Sequence, residues 1–199
     1  HMDIAASIQE VTEEIILKII NHLSDKYKIN NLCLAGGVAL NCVANGKIIE
    51  SKKYKNLWIQ PASGDAGGAL GCALAFWYKE FKNKRKIDNQ DSMKGSFLGP
   101  SFNENQIKKI LVENNANFEI LSNQDILKKT ALEISEGKTI GWFQGRMEFG
   151  PRSLGSRSIL ADPRNQEMQK ILNLKIKYRE SFRPFAPSII YEDLDKWFK

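Results

Sequence analysis

Two short apolar segments, each running straight into a glycine turn, constrain the fold of this 199-residue chain most strongly. Residues 32–34 lead into Gly36-Gly37, and residues 57–59 lead, past a proline, into the glycine-rich segment 63–68. A helix is predicted between the two strands, over 41–51, and a small-residue helix over 69–81. This alternation predicts an α/β unit whose ligand loops follow the carboxyl ends of its strands.

A long amphipathic helix is predicted before the first strand, over residues 3–29, with Asp3 capping its start. Its apolar residues recur at three- and four-residue spacing. They form one stripe of the kind that faces a protein core, made of Ile4, Ile8, Val11, Ile15, Ile19 and Leu23.

A polar, charged segment without periodicity, residues 83–97, is predicted to be a linker between domains 3–82 and 98–199. The second domain is predicted to contain a helix around 107–111, a strand over 118–121, a helix over 124–136 closed by Gly137, a strand over 139–143, a polar loop over 144–164 and a helix from 165 to about 177.

Composition excludes several classes of protein. The chain is ordinary for a soluble globular protein, with 42% hydrophobic and 26% charged residues. It has no apolar run approaching the roughly 18–20 residues of a membrane span, and no signal peptide is recognised. Its three cysteines form no C-x-x-C pair and lie among small or apolar residues, which predicts buried free thiols in the reducing cytoplasm.

The positive charge is unevenly divided between lysine and arginine. The formal net charge is +6, and six of the seven arginines lie between Arg146 and Arg183. Lysine is a generic solvated charge, whereas arginine offers a rigid fork for phosphate or carboxylate. The segments 145–158 and 177–187 therefore predict an oxyanion or phosphate site.

Each of these motifs also has a simpler interpretation. The arginines could be surface residues paired with Glu148 and Glu180, and Gly36-Gly37 could be only a tight turn. Asp65 is equally compatible with a ligand at the mouth of a site and with the first turn of a helix. A nucleic-acid surface is disfavoured, because the aromatic residues of the arginine segments are flanked by prolines and are more typical of local packing.

Four segments together resemble the NodU/CmcH-type carbamoyltransferases, and the similarity covers nearly the whole chain. The segments are Leu-Ala-Gly-Gly-Val-Ala-Leu-Asn at 34–41, Ser-Gly-Asp-Ala-Gly at 63–67, the arginine segment 145–158, and Arg-Glu-x-Phe-Arg-Pro-Phe-Ala-Pro at 179–187. They occur in the order found in the family.

This resemblance implies both a fold and an activity. The fold would be the second half of an actin/sugar-kinase-like (ASKHA) ATPase domain followed by the first part of a YrdC-like domain. In the family, carbamoyl phosphate and ATP give carbamoyl-adenylate. The carbamoyl group then passes to a hydroxyl of a small-molecule acceptor, such as a sugar or an antibiotic-type compound, with the help of a bound divalent metal such as iron.

The resemblance also implies roles for particular residues. Asp65 would be a metal ligand, and the adenylate site would be lined by Gly36, Gly37, Asn41 and Gly64. The phosphates and the carbamoyl group would be held by Arg146, Arg152, Arg157, Lys177, Arg179 and Arg183, with Ser153 and Ser158 as hydrogen-bond donors. Dense positive charge of this kind stabilises charge that develops on a pyrophosphate.

One departure from the family is informative. The family's H-x-x-x-H metal motif is missing here, and the chain has only two histidines. We therefore predict that the chain is a fragment, with weak or no metal binding and no transferase activity alone. Two alternatives stay open at this stage, a nucleotide-binding ATPase or kinase-like module and a factor related to tRNA threonylcarbamoylation.

Overall fold

The structure, a computed structural model, describes residues 1–87 and 90–198. Residues 88 and 89, within the predicted linker, and residue 199 lie outside the described residues. The helices and strands are α1 (Met2–Tyr27), β1 (Asn31–Leu34), α2 (Cys42–Glu50), β2 (Asn56–Ile59), α3 (Asp65–Ala75), α4 (Glu104–Glu113), α5 (Asn123–Ser135), β3 (Ile140–Phe143), β4 (Arg157–Leu160), α6 (Met168–Ile171) and α7 (Leu194–Trp197). Short π-helical turns extend α3 over Phe76–Glu80 and α6 over Leu172–Ile176.

By its internal contacts the chain divides into two units. The first contains His1–Ile110 and Phe143–Arg157, and the second contains Leu111–Trp142 and the described part of Ser158–Lys199. The arginine segment 145–157 thus belongs with the first unit in space, although it lies far along the chain. The domain limits at residues 82 and 98 stay predictions.

A parallel β1–α2–β2 unit forms the centre of the first unit. Leu32 pairs with Leu57 and Leu34 with Ile59, and α2 makes the crossover between the strands. The predicted α/β fold is confirmed as a mixed arrangement with two small sheets, β1–β2 and β3–β4.

Helix α1 packs against α2, but not through its apolar stripe. Glu13 and Ile20 are the buried residues of α1, and the carboxylate of Glu13 forms an ion pair with Lys47 of α2. Tyr54 Oη donates a hydrogen bond to the carbonyl oxygen of Ile20 at 2.8 Å. The predicted core face is therefore wrong for the described residues, since most of its members are more than half exposed: Ile4, Ile8, Val11, Ile15 and Ile19.

Two predictions made from local sequence are also wrong. Helix α1 begins at Met2, so Asp3 lies in the first turn, where a carboxylate favours the helix dipole, and does not cap the helix. The thiols of Cys33, Cys42 and Cys72 are free as predicted, but all three residues are exposed. Small neighbours along the chain indicated burial, whereas burial depends on neighbours in space.

The second unit departs from the predicted elements in two places. Residues 118–121 form no strand, and the ion pair of Glu119 with Lys129 holds the segment to α5 at 2.8 Å. Strand β4 lies inside the predicted loop 144–164, where it pairs with β3. The helix predicted from residue 165 begins at Met168, because Asn165 and Glu167 form a polar turn before it.

The buried apolar core is small in both units. Its members in the first unit are Ile20, Ala39, Ala44, Ile48 and Ala62, and in the second unit Met168 and Leu172. Across residues 1–87 and 90–198, every helix falls short of the length and apolar character that crossing a membrane requires.

Candidate functional site

The two glycine turns of the first unit meet at the carboxyl ends of β1 and β2. The amide of Gly36 donates to the carbonyl oxygen of Ser63 at 2.8 Å. Gly36 has a φ of 97°, a left-handed conformation that disfavours any residue with a side chain. The first turn is therefore a shaped loop joined to the second one, as the alternation of strands and helices predicts.

Asn41 links the first glycine turn to α1 and α2. Its Oδ1 accepts from the amide of Ala44 at 3.2 Å and caps α2. The same side-chain amide exchanges hydrogen bonds with Gln9 of α1, at 2.8 and 3.1 Å. The polar atoms of Asn41 are thus engaged within the protein, and Asn41 shapes the loop.

The second glycine turn presents the amino terminus of α3. Gly64 precedes the helix and Asp65 is its first residue. The Asp65 carboxylate is exposed and makes no hydrogen bond or ion pair with the described residues. Ser63 is buried, and its Oγ has no hydrogen-bond partner among them. A helix amino terminus with free N–H groups favours an anion.

Gly67 allows α3 to lie close to the turn that precedes it. A Cβ at this position would overlap the carbonyl oxygen of Ala62. Ala62 itself is completely buried. The glycine is required here because backbone approaches backbone without space for a side chain.

The arginine segment returns to this same turn. A Cβ on Gly150, which has a φ of 131°, would lie 2.9 Å from the carbonyl oxygen of Pro61 and 3.3 Å from Cα of Ala62. Two motifs more than 80 residues apart along the chain, 61–65 and 146–157, are thus in contact within the first unit.

A second segment of the first unit, residues 96–99, also holds the arginine segment. Ser96 and Phe149 exchange hydrogen bonds, with the Ser96 Oγ donating to the Phe149 carbonyl at 2.8 Å and the Phe149 amide donating back at 2.7 Å. The amide of Gly99 donates to the carbonyl oxygen of Met147 at 2.9 Å. Arg146 Nη1 donates to the Gly99 carbonyl oxygen at 2.6 Å, which leaves the rest of its exposed guanidinium available.

Glu148 lies buried at the centre of the arginine segment. Its Oε1 accepts hydrogen bonds from the amides of Leu154 at 2.6 Å and Ser156 at 2.8 Å. Its Oε2 accepts from Arg157 Nε at 3.2 Å, and Arg157 Nη2 also donates to the carbonyl oxygen of Gly150 at 2.5 Å. Burial by itself raises the pKa of the Glu148 carboxyl, but these donors outweigh it and hold the pKa below its ordinary value.

The lowered pKa of Glu148 predicts a specific acid response. The ionised carboxylate should stabilise the fold above the pKa of the unfolded chain, about 4.3. That contribution should be lost as the pH falls through the lowered pKa of the folded state. Glu148→Gln should therefore flatten the pH dependence of the free energy of unfolding below about pH 4, as measured by urea unfolding at a series of pH values.

The matched control for this titration is Glu14→Gln, which changes a carboxylate paired with Lys18 on the solvent-exposed side of α1. The hydrogen bond from Lys18 also lowers the pKa of Glu14, but this pair is exposed and screened by solvent, so the control should flatten the curve much less than Glu148→Gln does. A Glu148→Gln curve parallel to the wild type would contradict the assignment of this acid response to Glu148.

The remaining predicted residues of the first arginine segment differ in how far they are exposed and in whether other residues hold them. Arg152 and Ser153 are exposed at the tip of the loop. Arg157, by contrast, is held by Glu148 and by the Gly150 carbonyl. Ser158 lies on β4 and is half-buried.

The second arginine segment is organised by Asn173 within the second unit. Asn173 is completely buried, and its Oδ1 accepts from Arg179 Nε at 2.6 Å. Its Nδ2 donates to the carbonyl oxygens of Ser181 at 3.1 Å and Arg183 at 2.8 Å. The Arg179 guanidinium lies over the Phe185 ring at 4.9 Å, so a cation–π contact adds to these bonds.

Lys177 and Arg183 are the exposed cations of this second segment. Lys177 follows the π-helical turn. Arg183 Nε pairs with Glu180 Oε2 at 2.8 Å, which is the surface pairing that the simpler interpretation predicts for Glu180. The structure thus builds two loops, each with exposed cations and one buried acceptor side chain.

Replacement of Asn173 by alanine should destabilise the chain by about 2 kcal/mol, because two carbonyl oxygens and one guanidinium lose a buried partner. Urea unfolding measures the change. Asn105→Ala, at an exposed position of α4, is the matched control and should change the free energy of unfolding by less than about 0.5 kcal/mol. Equal effects of the two substitutions would contradict the role of Asn173.

Four residues of these loops were missed or undervalued by sequence reasoning. Glu148 was considered only as a surface ion-pair partner, although a lone acid inside an arginine-rich segment is a signal for a buried acceptor. No local signal marks the others. Ser63 and Ser96 depend on contacts that are distant along the chain, and Asn173 depends on a turn that brings residues 179–183 back to it.

Comparison with known proteins assigns this chain to a family. The family model described as Carbamoyltransferase N-terminus matches residues 1–74, and the one described as Carbamoyltransferase C-terminus matches residues 131–199. The chain belongs to the NodU-type carbamoyltransferase family. Both matched regions contain residues that the sequence predicts to be functional, the glycine turns in the first region and the two arginine segments in the second.

Several relatives are similar over the whole chain. An uncharacterized protein of Synechocystis is 53% identical over 200 residues, which is 100% of this chain and 32% of that protein. Nodulation protein NolO of Bradyrhizobium diazoefficiens is 41% identical, and nodulation protein NolNO of Sinorhizobium fredii is 40% identical, each over 199 residues. The chain spans 36% and 29% of their lengths, or about a third of the relatives that it matches.

Proposed function

We propose that these residues work as part of a longer O-carbamoyltransferase, called the whole enzyme below. It would use carbamoyl phosphate and ATP to form carbamoyl-adenylate, and would transfer the carbamoyl group to a hydroxyl of a small-molecule acceptor of the sugar or antibiotic type. Family membership supports carbamoyl transfer. The relatives' lengths support a division of the activity between this chain and further residues.

The observation that carries the proposal is the contact between Gly150 and the turn 61–62. Through it, a loop with exposed arginines lies on the turn that starts α3 and that adjoins the first glycine turn. Adenylation develops negative charge on phosphate oxygens, and cationic groups fixed in place before the reaction stabilise that charge.

Within this proposal, the glycine turns bind the nucleotide by their backbone. Gly36, Gly37 and Gly64 would let the chain approach a phosphate closely, and the N–H groups at the start of α3 would donate to it. Asn41 would contribute by holding the first turn in shape, because its side chain is already bonded to Gln9 and Ala44.

The arginines and the lysine of the two segments would bind the phosphates and orient the carbamoyl group. Arg152 and Arg146 would act from the first segment, and Lys177, Arg179 and Arg183 from the second. Ser153 and Ser158 would be hydrogen-bond donors. A guanidinium can donate two parallel hydrogen bonds to one phosphate, which fixes direction as well as charge.

We propose that the fold consists of parts of two domains. The β1–α2–β2–α3 order, with its loops at the carboxyl ends of the strands, is compatible with the second half of an ASKHA domain. Residues 98–199 would be the start of a YrdC-like domain. A comparison of the experimental structure of the whole enzyme with both fold families tests this assignment.

A metal site is not complete within the described residues. No group of three or more His, Cys, Asp or Glu side chains is placed there to hold an ion. Asp65 supplies one exposed carboxylate and is not sufficient alone. Its role as a ligand for a divalent metal such as iron stays a prediction for the whole enzyme.

The chain alone should bind ATP and inorganic pyrophosphate but should form no carbamoyl-adenylate from carbamoyl phosphate and ATP. Titration calorimetry measures the binding, and chromatography of the nucleotides measures product. Turnover by the purified chain would contradict its proposed dependence on further residues. Binding of tRNA that weakens steeply with added salt would instead favour an RNA-binding factor.

A further inference from the structure

The side chain of Glu148 is completely buried, which is an unusual position for a carboxylate in a segment rich in exposed arginines. A buried charge is stabilised only by close partners. Here Oε1 accepts hydrogen bonds from the backbone amides of Leu154 and Ser156, and Oε2 accepts a hydrogen bond from the Arg157 side chain. These three partners all lie within the nine residues that follow Glu148. Their hydrogen bonds therefore close a single loop of the chain.

Arg157 completes this closure at the other end of the loop. Its guanidinium bridges from Oε2 of Glu148 to the carbonyl oxygen of Gly150. The loop 150–156 is thus fixed at its start by Arg157 and at its end by Oε1 of Glu148. Gly150 in turn lies against Pro61 and Ala62, which places the start of the loop on the turn that precedes α3.

This closed loop carries two exposed residues of types that bind anions, Arg152 and Ser153. An arginine on an open loop would lose conformational entropy when it bound a phosphate. A loop that is already closed loses less, so the same guanidinium binds more tightly.

We propose that Glu148 is a positioning residue for the anion site, which holds Arg152 in place by closing the loop 150–156 through Arg157. The proposal rests on the proposed function for the role of Arg152 in binding phosphate. It gives Arg157 a structural task in the same closure. Glu148 itself does not touch the ligand.

The test uses inorganic pyrophosphate as the probe and four substitutions in this chain: Glu148→Ala, Glu148→Gln, Arg152→Ala and Glu14→Gln. Glu148→Ala should weaken the affinity by roughly tenfold, because the loop loses its buried acceptor. Glu148→Gln keeps one oxygen for the two amides but turns an N–H donor toward Arg157. It should therefore have a smaller effect, about threefold. The exposed control Glu14→Gln should have none.

A double-substitution cycle separates positioning from general destabilisation. If Glu148 acts through Arg152, then Glu148→Ala should weaken pyrophosphate binding little further once Arg152 is alanine. Additive effects in the double variant would overturn the proposal. If Glu148→Ala does not fold, the same cycle with Glu148→Gln decides.

Hydrogen exchange gives an answer that does not depend on the ligand. The amides of Leu154 and Ser156 should exchange faster in Glu148→Ala, whereas Ala44 and Ile48 of α2 should keep their protection. Unchanged exchange at Leu154 and Ser156 would overturn the role of Glu148. If the wild type fails to bind pyrophosphate but loop closure depends on Glu148, the proposed function fails and the closure is supported.

Discussion

Replacement of Arg152 by alanine in the whole enzyme is expected to lower the rate of carbamoyl-adenylate formation by about 100-fold, the usual loss for one donor that stabilises developing charge. Arg152 is exposed at the tip of a loop that is anchored at both ends, so its loss removes a charge without disturbing the loop. Lys177→Ala in the second arginine segment should have an effect of similar size. The measurement is the initial rate of carbamoyl-adenylate formation at saturating ATP and carbamoyl phosphate.

Arg85 supplies the matched control, because it is the one arginine outside the segment 146–183 and is exposed. Arg85→Ala should leave the rate within about twofold of the wild type, as expected of a surface substitution away from the site. If Arg152→Ala and Lys177→Ala both match Arg85→Ala, then neither cation acts on the reacting phosphates.

Replacement of Gly67 by alanine is expected to destabilise the fold by about 3 kcal/mol, the upper part of the usual range for overpacking. The added Cβ would overlap the carbonyl oxygen of Ala62, and backbone atoms cannot rotate away as the end of a side chain can. Since Ala62 also lies against Gly150, a displacement of the Ala62 backbone should also move the loop 150–156. Chemical unfolding measures the change in stability, and the exchange of the Leu154 amide measures the change in the loop.

Gly71 gives a control within the same helix. A Cβ there would meet nothing within 4 Å. Because alanine favours helix over glycine, Gly71→Ala should be neutral or stabilising by up to about 1 kcal/mol. A Gly67→Ala protein as stable as Gly71→Ala would show that α3 does not depend on the close approach to Ala62.

Much of the first unit could be predicted from sequence because its signals are local. Apolar residues at 32–34 and 57–59 followed by glycine indicated the strands that the structure has, and Asn41 lies at the cap of the helix predicted over 41–51. The pairing of these strands follows from the short helical crossover between them.

The contacts that bring the separate segments of the first unit together could not be predicted, because they join residues that are distant along the chain. Nothing near Gly150 in the sequence indicates that it touches Pro61, and nothing near Ser96 indicates its exchange of bonds with Phe149. The prediction that the apolar stripe of α1 faces a core was wrong for a related reason. Periodicity identifies an apolar face, but it does not identify which neighbour covers that face, and α2 packs on the face of Glu13 and Ile20.

The most direct test of the central proposal is exchange of labelled pyrophosphate into ATP by the whole enzyme. Water would remove phosphate from carbamoyl phosphate and leave carbamate, and the carbamate oxygen would then displace pyrophosphate from ATP to give carbamoyl-adenylate. Because this second step is reversible, label should enter ATP only when carbamoyl phosphate is present. Arg152→Ala should reduce that exchange, whereas Arg85→Ala should not. Exchange without carbamoyl phosphate, or ATP hydrolysis that is indifferent to it, would contradict the proposed carbamoyltransferase and favour an ATPase or kinase-like module.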